Sequence, residues 1–166
     1  MNPILSAGVM IGVLCGAWTF VMGFTGLYKS PTLGGILFVA VAIAIEVVGL
    51  IWGLRRTASQ GRSYGGQILA GTMMAIVAGV IIIAASLLFT TVVFPNYFHD
   101  VEQAYRTALE QHGKSDAEIA AALQSSAAAA TPMAQAMSGF IGTLVTGIVA
   151  SAIIAVFVRR RIRENG

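Results

Sequence analysis

The chain has 166 residues, of which 57% are hydrophobic and 10% charged, with a net charge of +3. Soluble domains carry about 25% charged residues, so this composition suits lipid as the solvent and excludes an ordinary water-soluble fold. The Lys and Arg flank apolar runs instead of forming a nucleic-acid patch, and the length leaves no separate catalytic domain beside the spans.

A helix needs about 20 apolar residues to cross a bilayer. The first such run covers 4–24 and holds the single cysteine, Cys15, which reads as a small buried hydrophobe. Residues 1–6 lack a basic n-region and no small-x-small cleavage pattern follows, so the run reads as a retained span. Tyr28-Lys29-Ser30-Pro31 makes a turn, and the second span covers 33–54. The linker from Arg55 to Gly66 carries Arg55, Arg56 and Arg62 with three glycines as breakers. The third span covers 67–94 and ends at Pro95-Asn96; the fourth covers 138–158, stopped by Arg159, Arg160 and Arg161.

The linker and the C-terminal tail hold seven of the ten Lys and Arg residues. Basic residues near span ends mark the cytoplasmic side, so both chain ends are expected in the cytoplasm of a bacterial inner membrane. The fold expected is all-α: one membrane domain over 1–166, a four-helix bundle with an extracytoplasmic helical hairpin at 96–132 between the third and fourth helices. Within that segment Tyr97, Phe98, Val101, Tyr105 and Ala108 recur at helical spacing. Gly113 suits the position past a helix end, and Ser115-Asp116-Ala117-Glu118 fits a capping box. Ile119 and Leu123 fall one turn apart in the next helix, the Ala127–Ala130 run favours helix, and Pro132 suits a new first turn. The pair is expected over the outer mouth of the bundle or in the interface, apolar side down.

Several pieces in order carry a resemblance. Tyr64-Gly65-Gly66-Gln67 opens the third span, Phe94-Pro95-Asn96-Tyr97 follows it, and Gln111-His112-Gly113-Lys114-Ser115 precedes Asp116, Glu118 and Ile119. The last span carries Gly142 and Gly147 and ends in an Arg run. On these the stretch from Tyr64 to Arg161 resembles a bacterial membrane family catalogued as domain of unknown function 4199, while the first two spans match it in length and placement. The resemblance implies a four-helix membrane fold and supplies no catalytic residue, substrate or cofactor.

Glu46 is the one acid inside a span. It lies nine residues before Arg55, about 13 Å from the span end at 1.5 Å per residue. An acid near mid-bilayer costs a few kcal/mol on insertion scales and should face protein or water. Two readings stand side by side: a proton- or cation-coupled site, or a protonated Glu bonded to a backbone carbonyl or to Thr19, Thr72, Ser86, Thr143 or Thr146 on another span.

Small residues form ladders at four-residue spacing: Gly8, Gly12 and Gly16 on the first span, Gly71, Ala75 and Gly79 on the third. The fourth has two, one through Gly142 and Thr146 and one through Thr143 and Gly147. Such stripes let helix backbones approach closely. Packing inside the bundle is the plain reading; a contact with a second copy or a larger membrane-protein complex is the other.

Gly113-Lys114-Ser115 echoes a phosphate loop, but Ala108 stands where that pattern needs glycine. His99 and His112 have no other soft ligands nearby, so no metal and no cofactor is expected. Trp18, Trp52 and Tyr64 suit interfacial anchors, and the basic runs suit contact with anionic membrane lipids. The functional expectation is a non-enzymatic accessory subunit packing in a membrane assembly; the alternative is a small proton- or cation-coupled carrier or channel centred on Glu46.

Overall fold

The computed structural model describes the backbone of residues 2–164 and the side chains of residues 2–157. Six helices follow one another: α1 Pro3–Phe24, α2 Pro31–Ala58, α3 Tyr64–Leu88, α4 Tyr97–Gln111, α5 Asp116–Ser126 and α6 Pro132–Glu164. α1, α2, α6 and α3 with its extension to Val93 are long and apolar enough to cross a membrane. Each proline has a place: Pro3, Pro31 and Pro132 open helices, where a missing N–H costs nothing, and Pro95 sits in the break between α3 and α4.

The spans pack as a four-helix bundle. α3 lies against both α1 and α6, α2 touches the other three, and α1 and α6 stand diagonally apart. Because the spans alternate in direction, the α1–α2 turn and the α4–α5 hairpin share one end, called here the hairpin end. The α2–α3 linker and the chain termini share the opposite end. A hydrogen bond across the hairpin end, from the Tyr28 hydroxyl to Asp100 Oδ2 at 2.7 Å, ties turn to hairpin.

Glycine ladders bring the spans together. A Cβ on Gly8 would lie 2.7 Å from Val77 Cβ, and one on Gly12 would lie 2.8 Å from Ile81 Cβ, both on α3. Gly71 and Gly79 of α3 face Ser151 and Phe140 of α6, and Gly147 of α6 faces Ala75. Gly142 differs: nothing lies within 4 Å of where its Cβ would be. The buried core of Ala7, Ile11, Leu50, Leu54, Ala70 and Met74 occupies the half of the bundle next to the linker. Toward the hairpin α3 still packs closely on α1 and α6, while a cavity opens between α2 and α6.

The third span closes with a π-turn over Phe89–Val93, in which the Phe94 N–H donates to the Phe89 carbonyl at 2.8 Å. The wider turn brings Phe89 and Phe94 over Gly23 of α1, their ring centroids 4.7 Å apart. Tyr97 stacks on Phe89 and Tyr28, extending this aromatic cluster to the hairpin.

Several boundaries differ from expectation. α2 runs a turn further, through the first two linker arginines to Ala58. α6 begins at Pro132, six residues early, and continues to Glu164 through Arg159, Arg160 and Arg161, which were expected to stop it. Arg is a good helix former, so charge ends the lipid-suited stretch without ending the helix. The Ala127–Ala130 run forms turns, not helix; Thr131 precedes Pro132, and that position disfavours the helical region. The hairpin has its expected caps. Gly113 adopts φ +72°, and the Ser115 and Glu118 side chains each bond the other's backbone N–H.

Candidate intramembrane binding site

Glu46 sits where the buried core meets a cavity between the spans. It is 4% exposed, on the face of α2 turned toward α6, and Gly147 leaves it room: a Cβ there would lie 3.0 Å from Glu46 Oε1. Oε1 is buried with no hydrogen-bond partner among the described residues. A buried polar atom left unpaired costs about 1–3 kcal/mol, and more when it is charged.

Glu46 lines a cavity of about 400 Å³ walled by all four spans. Cys15 and Thr19 come from α1, Ile82 and Ser86 from α3, Thr143 and Thr146 from α6. Phe38, Val39, Ala42 and Ile43 of α2 make most of the apolar wall. Four of the five hydroxyl residues considered as partners for Glu46 therefore share its cavity. None bonds it: Thr19 Oγ1 donates back to the Cys15 carbonyl at 3.1 Å. Thr72 lies outside the cavity, donating to the Ile68 carbonyl at 2.9 Å.

A second cavity, about 360 Å³, continues toward the hairpin end. It shares Thr19, Phe38 and Gln135 with the first and reaches Tyr28, Tyr97 and Tyr105. Gln135 also borders a third cavity between α4, α5 and α6, so it stands at the junction of all three. Sequence reasoning missed Gln135 because it fell before the expected start of the fourth span. The signal was there: it follows Pro132 by three residues, inside the first turn that the proline opens.

At the hairpin end Lys29 Nζ lies 2.9 Å from Asp100 Oδ2, beside the Tyr28 bond. The Tyr28 hydroxyl and the Lys29 ammonium together hold the Asp100 carboxyl below its usual range. On α5, Glu118 is drawn down to about 2, first by the Lys114 ammonium 2.9 Å away and then by Ser115.

Among the expected basic and interfacial groups, the Arg56 guanidinium stacks 3.9 Å above the Trp52 ring, and Arg62 Nε donates to Gln60 Oε1 at 3.4 Å. Arg55 is exposed next to Arg56. The side chains of Arg159, Arg160 and Arg161 lie outside the described residues. The Trp18 indole N–H is buried and has no acceptor among the described residues. Gln67, in the first turn of α3, is fully buried, accepts from Thr57 Oγ1 at 2.8 Å and leaves Nε2 unpaired among the described residues.

Four apolar helices around a polar-floored cavity define a multi-pass helical membrane protein. The chain belongs to the family described as protein of unknown function (DUF4199), whose model matches residues 6–160 and so includes the first two spans. No curated protein and no solved structure matches the chain.

Proposed function

We propose that this protein is a small membrane carrier or channel in which Glu46 exchanges a proton for a monovalent cation. One observation carries the reading: Glu46, 96% buried and with its Oε1 unpaired among the described residues, lines a cavity that continues toward one end of the bundle. A proton or a bound cation offsets the cost of that group, and a site that alternates between the two couples their movements. The accessory-subunit reading has less support, because the ladders of Gly8, Gly12, Gly71, Gly79 and Gly147 are used up inside the bundle.

The basic linker and tail favour an orientation with both termini in the cytoplasm and the hairpin outside, as the positive-inside rule requires in a bacterial plasma membrane. In that orientation the cavity opens outward. Protease added to spheroplasts is expected to cut near Arg106 or Lys114; cutting only between Arg55 and Arg62 means the reverse orientation.

The central test is uptake into proteoliposomes under an imposed pH gradient, with labelled sodium, rubidium and alkylammonium ions. Uptake of at least one should follow the gradient and fall to the level of empty liposomes in Glu46→Gln. Equal uptake by wild type and Glu46→Gln for every cation overturns the reading.

A further inference from the structure

The cavity has a second opening, on its side. Val39 and Ile43 of α2 line it and are also 54% and 42% exposed on the outside of the bundle. Facing them across the cavity, Ser138 and Gly142 of α6 are exposed as well. α2 and α6 meet where Gly147 approaches Glu46, yet a Cβ on Gly142, five residues toward the hairpin, would touch nothing. The cavity lies between these two exposed walls, and the seam they leave above Glu46 faces lipid. A ligand can reach the carboxyl from the hydrocarbon without passing Gln135 and the aromatic cluster.

The lining indicates what such a ligand is. A hard cation stripped of water needs about six oxygen ligands in place of its hydration shell. Here one carboxyl group and a few hydroxyls stand among Phe38, Val39, Ala42, Ile43 and Ile82. An ammonium head has at most three N–H donors to satisfy, and an alkyl or arylalkyl body matches the apolar wall. At about 400 Å³ the cavity falls in the range of about 300–1,000 Å³ that holds small organic ligands.

We propose that the cavity binds a lipophilic ammonium ion, its head at Glu46 and its apolar body along α2, admitted from the lipid through the seam between α2 and α6. The proposal rests on the reading of Glu46 as an ion-binding group and adds the class of ligand and its route.

The test measures binding of labelled decylammonium to the full chain in phosphatidylcholine nanodiscs, with empty nanodiscs subtracted. Saturation at one decylammonium per chain is expected, with loss in Glu46→Gln and no displacement by decanol, which has the same tail without the charge. Methylammonium, which has the charge without the tail, is expected to bind at least about tenfold more weakly. Gly142→Phe fills the seam from a position where a Cβ has no described atom within 4 Å, and Val39→Trp fills it from the opposite wall. Either change should weaken decylammonium binding at least about tenfold while leaving methylammonium unaffected. If methylammonium binds as tightly as decylammonium, or neither seam variant alters binding, the lipid route and the lipophilic ligand are overturned while the Glu46 reading stands. If Glu46→Gln binds decylammonium and methylammonium as wild type does, both are overturned.

Discussion

Gly147 and Glu46 face each other across the α2–α6 contact so closely that a methyl group on the glycine would lie 3.0 Å from the carboxyl Oε1 and 2.5 Å from Ala75 Cβ. The small-residue stripe on this face of α6 therefore does two things. It lets α3 and α6 approach, and it gives the carboxyl group its place.

Gly147→Ala should accordingly destabilise the bundle by about 1–3 kcal/mol, the usual cost of overpacking a close contact. Gly142→Ala, one turn and a half away on the open seam, should change stability by less than about 0.5 kcal/mol. Thermal unfolding in one detergent compares the two directly; equal effects mean that the seam is closed in the folded protein.

Glu46→Leu is expected to raise the unfolding temperature while abolishing cation binding. An unpaired buried carboxyl is a standing cost, and an apolar replacement of similar size is commonly neutral or stabilising by about 1–4 kcal/mol. A marked loss of stability in Glu46→Leu indicates a structural hydrogen bond and removes the basis of the carrier reading.

Gly12→Val tests the α1–α3 contact. The new side chain meets Ile81 Cβ at 2.8 Å and the Ala78 carbonyl at 2.9 Å, and neither belongs to a flexible tip. α1 must separate from α3, at a cost of about 3 kcal/mol or more. Thermal unfolding in one detergent, compared with wild type, should show this loss.

The Tyr28–Asp100–Lys29 contact is expected to weaken in acid. Asp100 titrates below its ordinary range when folded, so its contribution is complete above the ordinary carboxylate pKa and is lost as pH falls through the lowered one. Hydrogen exchange at the first turn of α4 should rise on acidification in wild type. In Asp100→Asn it should be raised already at neutral pH and stay flat.

For α5, Ser115→Ala should cost about 1 kcal/mol of helix stability through the lost cap. Glu118 adds a dependence on pH: drawn from 4.5 to about 2, it supports the helix fully above pH 4.5 and loses that effect between 4.5 and 2. Amide exchange at Ile119 and Leu123 reports both. No change in Ser115→Ala means that the Ile119 side chain, 1% exposed, holds α5 without its cap.

The sequence by itself determined the number of spans, their order and the capped hairpin. Each follows from local physics: length against bilayer thickness, prolines at helix starts, Ser115 three residues before Glu118, a glycine where φ turns positive. Glu46 was legible for the same reason, since an acid among apolar residues is conspicuous without any fold. The accessible cavity was not legible. Thr19, Ser86 and Thr143 stood out as candidate partners for Glu46, but one-dimensional spacing does not say whether hydroxyls on other helices bond a carboxyl or merely surround it. Gln135 was hidden by a helix that starts earlier than its apolar run.

Only the tertiary structure decided that α2 and α6 meet closely at Glu46 and leave a cavity between them toward the hairpin. That depends on which glycine meets which neighbour. Gly147 finds Ala75 and Glu46 across a tight contact, Gly142 finds nothing, and both carry the same absent side chain. Close packing is a property of pairs of surfaces, and a chain read one residue at a time does not contain the pairs.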